Sequence, residues 1–275
     1  MDAAAGDLRI AYQECPLCGG SALAQEWTAD CTGHPLYCEP LPRELRWLRC
    51  EACGHVFTDS YFNDAGLAAL FRGVPAGQTP GEDAEGTRLL SARMIERVGA
   101  LRTALGAPPR DLAERPGRWI DVGFGNGALL ATAAEHGYEV VGLDLREGHV
   151  ALLREFGYEA HCQDLHAYQP EAPADVLSLC DVLEHMPFPR QALLRAREVL
   201  AERGVLLLSM PNLDSFLWRQ LNERGENPYW AELEHLHNFG RARLFALLRE
   251  CGFAPAGYAV SERYLAGMEV LALRG

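Results

Sequence analysis

The sequence contains no lysine, so all 25 of its basic residues are arginine. That absence excludes a lysine general base and a Schiff-base nucleophile, because no other side chain carries a primary amine. Positive charge is also scarce overall, with 38 acids leaving a formal net charge of -13. An acidic surface repels phosphate backbones, so nucleic acid is a disfavoured partner. No apolar run approaches the roughly 18 to 20 residues that a bilayer span needs. The start (Met1, Asp2, Asp7) lacks the positive region and apolar core of a secretory signal. The expectation is a cytoplasmic protein with no membrane partner. With 275 residues, 48% of them hydrophobic, the chain can fill one α/β domain of about 150 to 200 residues plus a smaller module.

Four of the nine cysteines fall in two similar knuckles, Cys15-Pro-Leu-Cys18-Gly-Gly and Cys50-Glu-Ala-Cys53-Gly-His. Each presents two thiolates from a tight turn, and two such turns close a tetrahedral shell around zinc. A shell of four thiolates has no open position, so this metal is expected to be structural and to supply folding energy to a module too small for its own core. Cys31, His34, Cys38 and His55 lie nearby and could form a second ligand set or replace one cysteine, though loop residues without metal is the favoured reading, while Cys162, Cys180 and Cys251 sit in apolar contexts as core thiols. Residues 1–60 hold four arginines against nine acids, a poor balance for a nucleic-acid ribbon. Packing on a catalytic domain, shaping its pocket or forming a homodimer suits the module better.

Three regions follow from the patterning: a zinc-ribbon module over 1–60, a helical lid or linker over 61–117, and an α/β domain over 118–275. Within the second, a Gly/Pro-rich interruption (Gly73, Pro75, Gly77, Pro80, Gly81) reads as a mobile loop, and Glu82–Leu105 carries apolar residues at helical spacing. From Arg118 onward, short apolar runs alternate with helical segments, the pattern of a parallel sheet wrapped by helices. Strands are expected at 119–122, 139–143, up to 162, 176–179 and 205–209, with 256–260 and 268–273 forming a final antiparallel hairpin.

The strongest chemical signal is Asp121-Val-Gly123-Phe124-Gly125-Asn-Gly127, directly between an apolar strand and a helix. Glycines there let the backbone turn sharply and approach a ligand, and a helix N-terminus favours negative groups. With Ala128 the loop also satisfies the dinucleotide pattern G-x-G-x-x-G/A, so alone it does not choose a cofactor. Acids then close successive strands: Asp144 can accept both hydroxyls of an adenosine ribose, Asp164 can accept from an adenine amino group, and Asp181 to His185 ends the fourth strand as Asp-Val-Leu-Glu-His. All sit on the carboxyl edge of one sheet and define one crevice.

Over about residues 115–275 the sequence resembles the class I S-adenosylmethionine-dependent methyltransferases, especially the small-molecule and sugar enzymes. The resemblance rests on the glycine loop, Gly142-Leu-Asp144, Gln163-Asp164, Asp181-Val-Leu-Glu-His185, Val199-Leu-Ala-Glu-Arg-Gly204 and Ser209-Met-Pro211-Asn212. It implies a Rossmann-like seven-stranded fold, with S-adenosylmethionine as cofactor beside the structural zinc. It further implies that Asp121, Gly123, Gly125 and Gly127 face the methionine part, with Phe124 in the same loop. Asp144 with Leu145 would hold the ribose, Asp164 with Leu165 the adenine, and Asp181, Val182 and Glu184 would lie near the sulfonium.

Methyl transfer from a sulfonium depends mainly on positioning, and a base helps only when the nucleophile must lose a proton. The segment 227–239 clusters aromatic rings with His235 and His237, and these two with His185 are the candidates for base or acceptor contact. The 61–105 region and the 213–239 segment are expected to cover the acceptor. The leading reading is a methyltransferase for a small molecule such as a sugar or natural-product intermediate. The alternatives are a ribosomal RNA base methyltransferase, a non-catalytic partner-binding protein and, further off, a nicotinamide dehydrogenase.

Overall fold

Short strands broken by turns open the chain, and the computed structural model describes residues 8–73, 77–106, 116–264 and 266–275. Pro75, in the Gly/Pro-rich interruption, and Asp2 and Asp7 at the start lie outside the described residues. Strand β1 (Arg9–Ala11) pairs antiparallel with β5 (Ser60–Phe62). Between them, β2 (Leu23–Asp30), β3 (Glu44–Cys50) and β4 (Val56–Thr58) form an antiparallel meander. In β3 the side chains alternate: Leu45 and Trp47 are buried while Glu44 and Arg46 are exposed, so one face of this small sheet is apolar. Helix α1 (Asp64–Leu70) starts where Asn63 accepts from Gly66 N at 2.9 Å.

Helix α2 (Ala84–Ala104) buries Met94, Ile95 and Val98 against one face of the large sheet, while Leu89, on the expected apolar face, stays exposed. This part of the 61–117 stretch is thus built into the core of the α/β domain. Its Arg93 and Arg97 pair with Glu262 and Glu269 of the C-terminal hairpin, clasping the helix to the sheet edge.

The large sheet is laid down by β6 (Arg118–Val122), β7 (Glu139–Asp144), β8 (Glu159–Cys162), β9 (Ala174–Cys180) and β10 (Leu200–Pro211). Helices α3 (Ala128–Glu135), α4 (Glu147–Glu155) and α5 (Pro189–Val199) alternate with them. After β10 come α6 (Phe216–Arg224), a two-residue strand β11 (His237–Asn238), α7 (Arg241–Glu250), β12 (Phe253–Val260) and β13 (Gly267–Arg274). The spatial order is β12-β13-β10-β9-β6-β7-β8, parallel from β10 through β8, with β13 antiparallel to both its neighbours. This is the Rossmann-like methyltransferase fold. The chain reverses direction across the sheet between β6 and β9, which opens a crevice at the carboxyl ends of those strands. No helix among the described residues is long and apolar enough to cross a membrane.

The two faces are covered by different parts of the chain. Leu130, Val150 and Met94, from α3, α4 and α2, share one core. The other core joins Leu193 and Leu247, from α5 and α7, to Cys15, Leu17, Cys50 and Phe57 of the N-terminal module. The module also takes a strand from far along the chain: β11 pairs with β4, His237 opposite Phe57 and Asn238 opposite Val56. Trp218, Trp230 and Leu233 pack into its apolar core with Leu45 and Trp47. The stretch from α6 to β11 therefore belongs physically to the N-terminal module as much as to the sheet it follows.

Candidate active site

Between β6 and α3 the backbone turns with Gly123 at φ +65°, where a side chain would meet Val182 Cγ2 at 2.6 Å. Only glycine lets the loop pass that close at that backbone angle. Gly127 leads into α3, whose first N–H, that of Ala128, donates to Asn126 Oδ1 at 3.1 Å. A strap from the 77–87 segment lies over the loop. Gly81 N donates to Asn126 O (3.1 Å), and Asn126 Nδ2 donates to Glu82 O (2.9 Å) and Thr87 Oγ1 (3.3 Å).

Carboxylates ring this loop. Asp121 is buried, accepts from Ser178 Oγ at 2.6 Å, and is pushed up by burial to about 7. Asp144, at the tip of β7, is gripped by Arg146: its Oδ1 accepts from the Arg146 backbone N and Nε (both 2.9 Å), its Oδ2 from Nη2 (2.8 Å). A ribose reaching Asp144 must share or displace that guanidinium. Asp164 is exposed and accepts from Ala167 N at 2.7 Å, while Leu165 beside it is fully buried in the core. Leu145 is half exposed, and Phe124 is buried against Gly142. Asp181 follows β9 at φ +57°, in the left-handed region that aspartate tolerates better than most non-glycine residues. Its Oδ1 accepts from Ser209 Oγ (3.1 Å), and its Oδ2 lies 3.1 Å from Arg263. Arg263 arrives from the bend at 262–264, whose sequence carries no motif that would mark it beforehand.

Beside Asp181, Glu184, His185 and His235 converge, one ligand-type atom from each lying within 4.8 Å of the others. Glu184 is 1% exposed with neither carboxyl oxygen hydrogen-bonded, and burial followed by the charge of Asp181 holds it well above the usual carboxylate range. Burial likewise holds His235 well below its usual value, so its ring is neutral near pH 7. His185 Nδ1 donates to the Glu234 carbonyl at 3.0 Å, and the His235 ring stands edge-on to it at 4.8 Å. One carboxyl and two imidazoles in this arrangement can hold a divalent cation or accept a proton.

His237 stands elsewhere. Its Nε2 lies 3.0 Å from the Met186 carbonyl, which can only accept, so Nε2 carries the proton. Burial lowers His237 to about 3, so Nδ1 is a bare lone pair, and it meets His55 Nε2 at 3.0 Å. Both ring nitrogens are thereby engaged within the protein.

The metal candidates Cys15, Cys18, Cys50 and Cys53 come together in the N-terminal module. Each knuckle closes on a glycine at φ +72°, Gly19 and Gly54, whose N–H returns to Cys15 O and Cys50 O at 2.8 Å. The Sγ atoms of Cys15 and Cys53 are 3.7 Å apart, and those of Cys18 and Cys50 are 3.5 Å apart. Zinc–sulfur bonds of about 2.3 Å at tetrahedral angles put sulfurs roughly 3.8 Å apart, so the four thiols fit zinc. Cys31, His34 and Cys38 do not join them, and His34 Nε2 instead meets Glu232 at 2.9 Å.

A profile of the methyltransferase domain family matches residues 90–256. Among curated proteins, the ubiquinone biosynthesis O-methyltransferase of Cronobacter sakazakii is 29% identical over 137 residues, covering 45% of this chain and 54% of that protein. Its counterpart from Azoarcus is 31% identical over 101 residues, covering 34% of this chain and 43% of that protein. The chain thus matches about half the length of these relatives. Among solved structures, magnesium protoporphyrin IX methyltransferase from Synechocystis with bound S-adenosylhomocysteine superposes with TM-score 0.53 at 20% identity, covering 78% of this chain and 97% of that one. An amino pentose methyltransferase from Micromonospora echinaspora gives 0.50 at 18% identity, covering 78% and 98%. Both share the fold.

Proposed function

The chain belongs to the methyltransferase domain family, and on that premise we propose that it moves the methyl group of S-adenosylmethionine onto a small-molecule acceptor such as a sugar or natural-product intermediate. The observation that carries this reading is the juxtaposition at adjacent strand tips: the bare-backbone turn at Gly123, the carboxylates of Asp121, Asp144 and Asp181 around it, and the Glu184–His185–His235 cluster next to them. The bound cofactor supplies an activated methyl group on a positively charged sulfur. The chain's own residues hold and orient it. Asp121 faces the amino acid end, the first turn of α3 past the Asn126–Ala128 contact suits a carboxylate, and Asp144 takes the ribose hydroxyls once Arg146 yields.

An acceptor hydroxyl or amine must lose its proton as the methyl group arrives. His185 is placed for that task in our reading. Because its Nδ1–H is fixed on the Glu234 carbonyl, its Nε2 lone pair is the free one, and His235 sets its ring from the side. Glu184, held protonated by burial, can donate a hydrogen bond without placing a second negative charge beside Asp181. His237 acts through position, joining the segment that carries His235 to the N-terminal module. The zinc shell is structural and fixes that module in place. The acidity of the chain and of its first 60 residues supports a small-molecule acceptor over RNA.

Calorimetry with zinc-loaded protein tests the reading directly. S-adenosylhomocysteine should bind at one site per chain, and a screen of hydroxylated acceptors with methyl-labelled cofactor should show label transfer. Absence of any affinity for both S-adenosylmethionine and its demethylated product would end the proposal.

A further inference from the structure

An open pocket of about 600 Å³ lies just past the carboxyl end of β10, between the start of α6, one side of α7 and the β12–β13 hairpin. Its lining includes Asn212, Phe216, Arg241, Phe245, Arg249 and Tyr258. The Arg241 guanidinium lies 4.1 Å from the Tyr258 ring centroid and 5.3 Å from that of Phe245, and Arg249 lies 5.9 Å from Phe245. Among the described residues no carboxylate lies within ion-pair distance of either arginine. Arg243 on the same helix shows the contrast, pairing with Glu250 at 2.7 Å.

One carboxylate, Asp214, does line the pocket, but it is engaged elsewhere. Its oxygens pack against Gly240, and Oδ2 accepts from Ala242 N at 3.4 Å, so it compensates the positive end of α7. Two guanidinium charges are left facing the opening in a chain of net charge -13. Around them lies exposed apolar surface: Phe216 is 70% exposed and Val260 65%. Cations resting on rings, with further apolar surface at the mouth, match a ligand that carries an anion next to a planar ring.

We infer that this pocket binds the anionic handle of the methyl acceptor, a phosphoryl or carboxylate group attached to a ring system, with Arg241 and Arg249 on the anion and Phe216, Phe245 and Tyr258 against the ring. The inference rests on the methyltransferase reading for the ligand's identity as acceptor, though not for binding itself. Its location is apt. Asn212 directly follows β10, whose Ser209 holds Asp181 in the crevice, and Ala266 in the pocket wall lies 3.4 Å by its backbone N from Tyr229 Oη. An acceptor held here by its charged end extends its remainder toward the crevice.

Uridine diphosphate, inorganic pyrophosphate and benzoate serve as probes, titrated by calorimetry at low and moderate salt into zinc-loaded wild type and the Arg241→Ala/Arg249→Ala variant. Uridine diphosphate should bind the wild type with salt-dependent affinity and lose at least about tenfold in the variant, as expected for removal of charge-assisted bonds. Binding of benzoate in place of the phosphates, with the same loss, assigns the carboxylate form. If the double variant does not fold, Arg241→Gln alone should still weaken the probe severalfold. Failure of all three probes to bind wild type, or equal binding by a folded double variant, overturns the inference. Because neither arginine touches the glycine loop, S-adenosylhomocysteine affinity should be unchanged, and its presence or absence judges the methyltransferase reading separately.

Discussion

His55 Nε2 donates to His237 Nδ1 across 3.0 Å, and this bond joins the N-terminal module to the segment that carries His235. Replacing His237 with Leu leaves the buried His55 N–H and the part-buried Met186 carbonyl without this partner, a cost of about 1–3 kcal/mol for the buried group. Urea unfolding of zinc-loaded His237→Leu should show that loss. A variant as stable as wild type would remove His237 from the role of link.

The same residue gives a pH dependence. In the unfolded chain its ring titrates near 6.5, whereas burial lowers it to about 3 in the native protein. The neutral ring therefore stabilises the fold fully above pH 6.5, and that contribution is lost as pH falls from 6.5 toward 3, because only the unfolded state takes up the proton. The slope is up to about 1.4 kcal/mol per pH unit. Urea midpoints between pH 6.5 and 5 should fall more steeply in wild type than in His237→Asn. Parallel lines for the two would contradict a depressed His237.

The glycine loop makes a prediction about space. Gly123→Ala places a methyl group 2.6 Å from Val182 Cγ2 and holds alanine at φ +65°. Stability should fall by at least about 1–2 kcal/mol, and S-adenosylhomocysteine should bind weakly or not at all. Adding Val182→Ala should recover only part of the loss, since it relieves the collision and leaves the backbone strain. Full recovery would mean that strain plays no part.

For Asp144, the expected partner of the ribose, Asp144→Ala should weaken S-adenosylhomocysteine at least tenfold, in line with about 1.5–3 kcal/mol for hydrogen bonds to a charged group. Arg146→Ala should leave that affinity equal or better, since it frees the carboxylate. Weaker binding by Arg146→Ala would assign the arginine to the ligand instead.

If His185 is the general base, His185→Ala should reduce kcat by about 10²- to 10⁴-fold, with cofactor affinity within twofold of wild type. Retained turnover with a hydroxyl acceptor would dismiss His185. One zinc per chain is expected by elemental analysis, and Cys53→Ser should lower both metal content and thermal stability. The second effect follows because Cys15, Leu17, Cys50 and Phe57 pack directly beneath α5 and α7.

Much of the large sheet could be read in advance because its strands are short apolar runs bounded by glycine and acids, as at Trp119–Val122 followed by Gly123. The two cysteine knuckles were legible for a similar reason: spacing alone sets which thiols share a turn. Other features were hidden by their long range. A two-residue strand, His237–Asn238, has no periodicity to detect, and its pairing with Val56 and Phe57 spans most of the chain. Arg263 comes from a turn that only the fold brings to Asp181. Helix α6 was within reach of local signals, because Ser215 accepts from Trp218 N and Gly225 closes the helix in a left-handed conformation. Aromatic crowding in that stretch suits ligand contact as well as packing by sequence alone, and in the fold Trp218 and Trp230 fill the core of the N-terminal module.

The borrowed strand also governs the order of assembly. The zinc knuckles are synthesised early, yet the four-stranded sheet beside them gains its outer member only once residues 237–238 have been made. During translation the nascent ribbon can take up metal while its edge at β4 stays unpaired, and completion must await His237, 182 positions beyond His55. Closing so distant a contact is slow, and until it closes the β4 edge is left open to pairing with other chains.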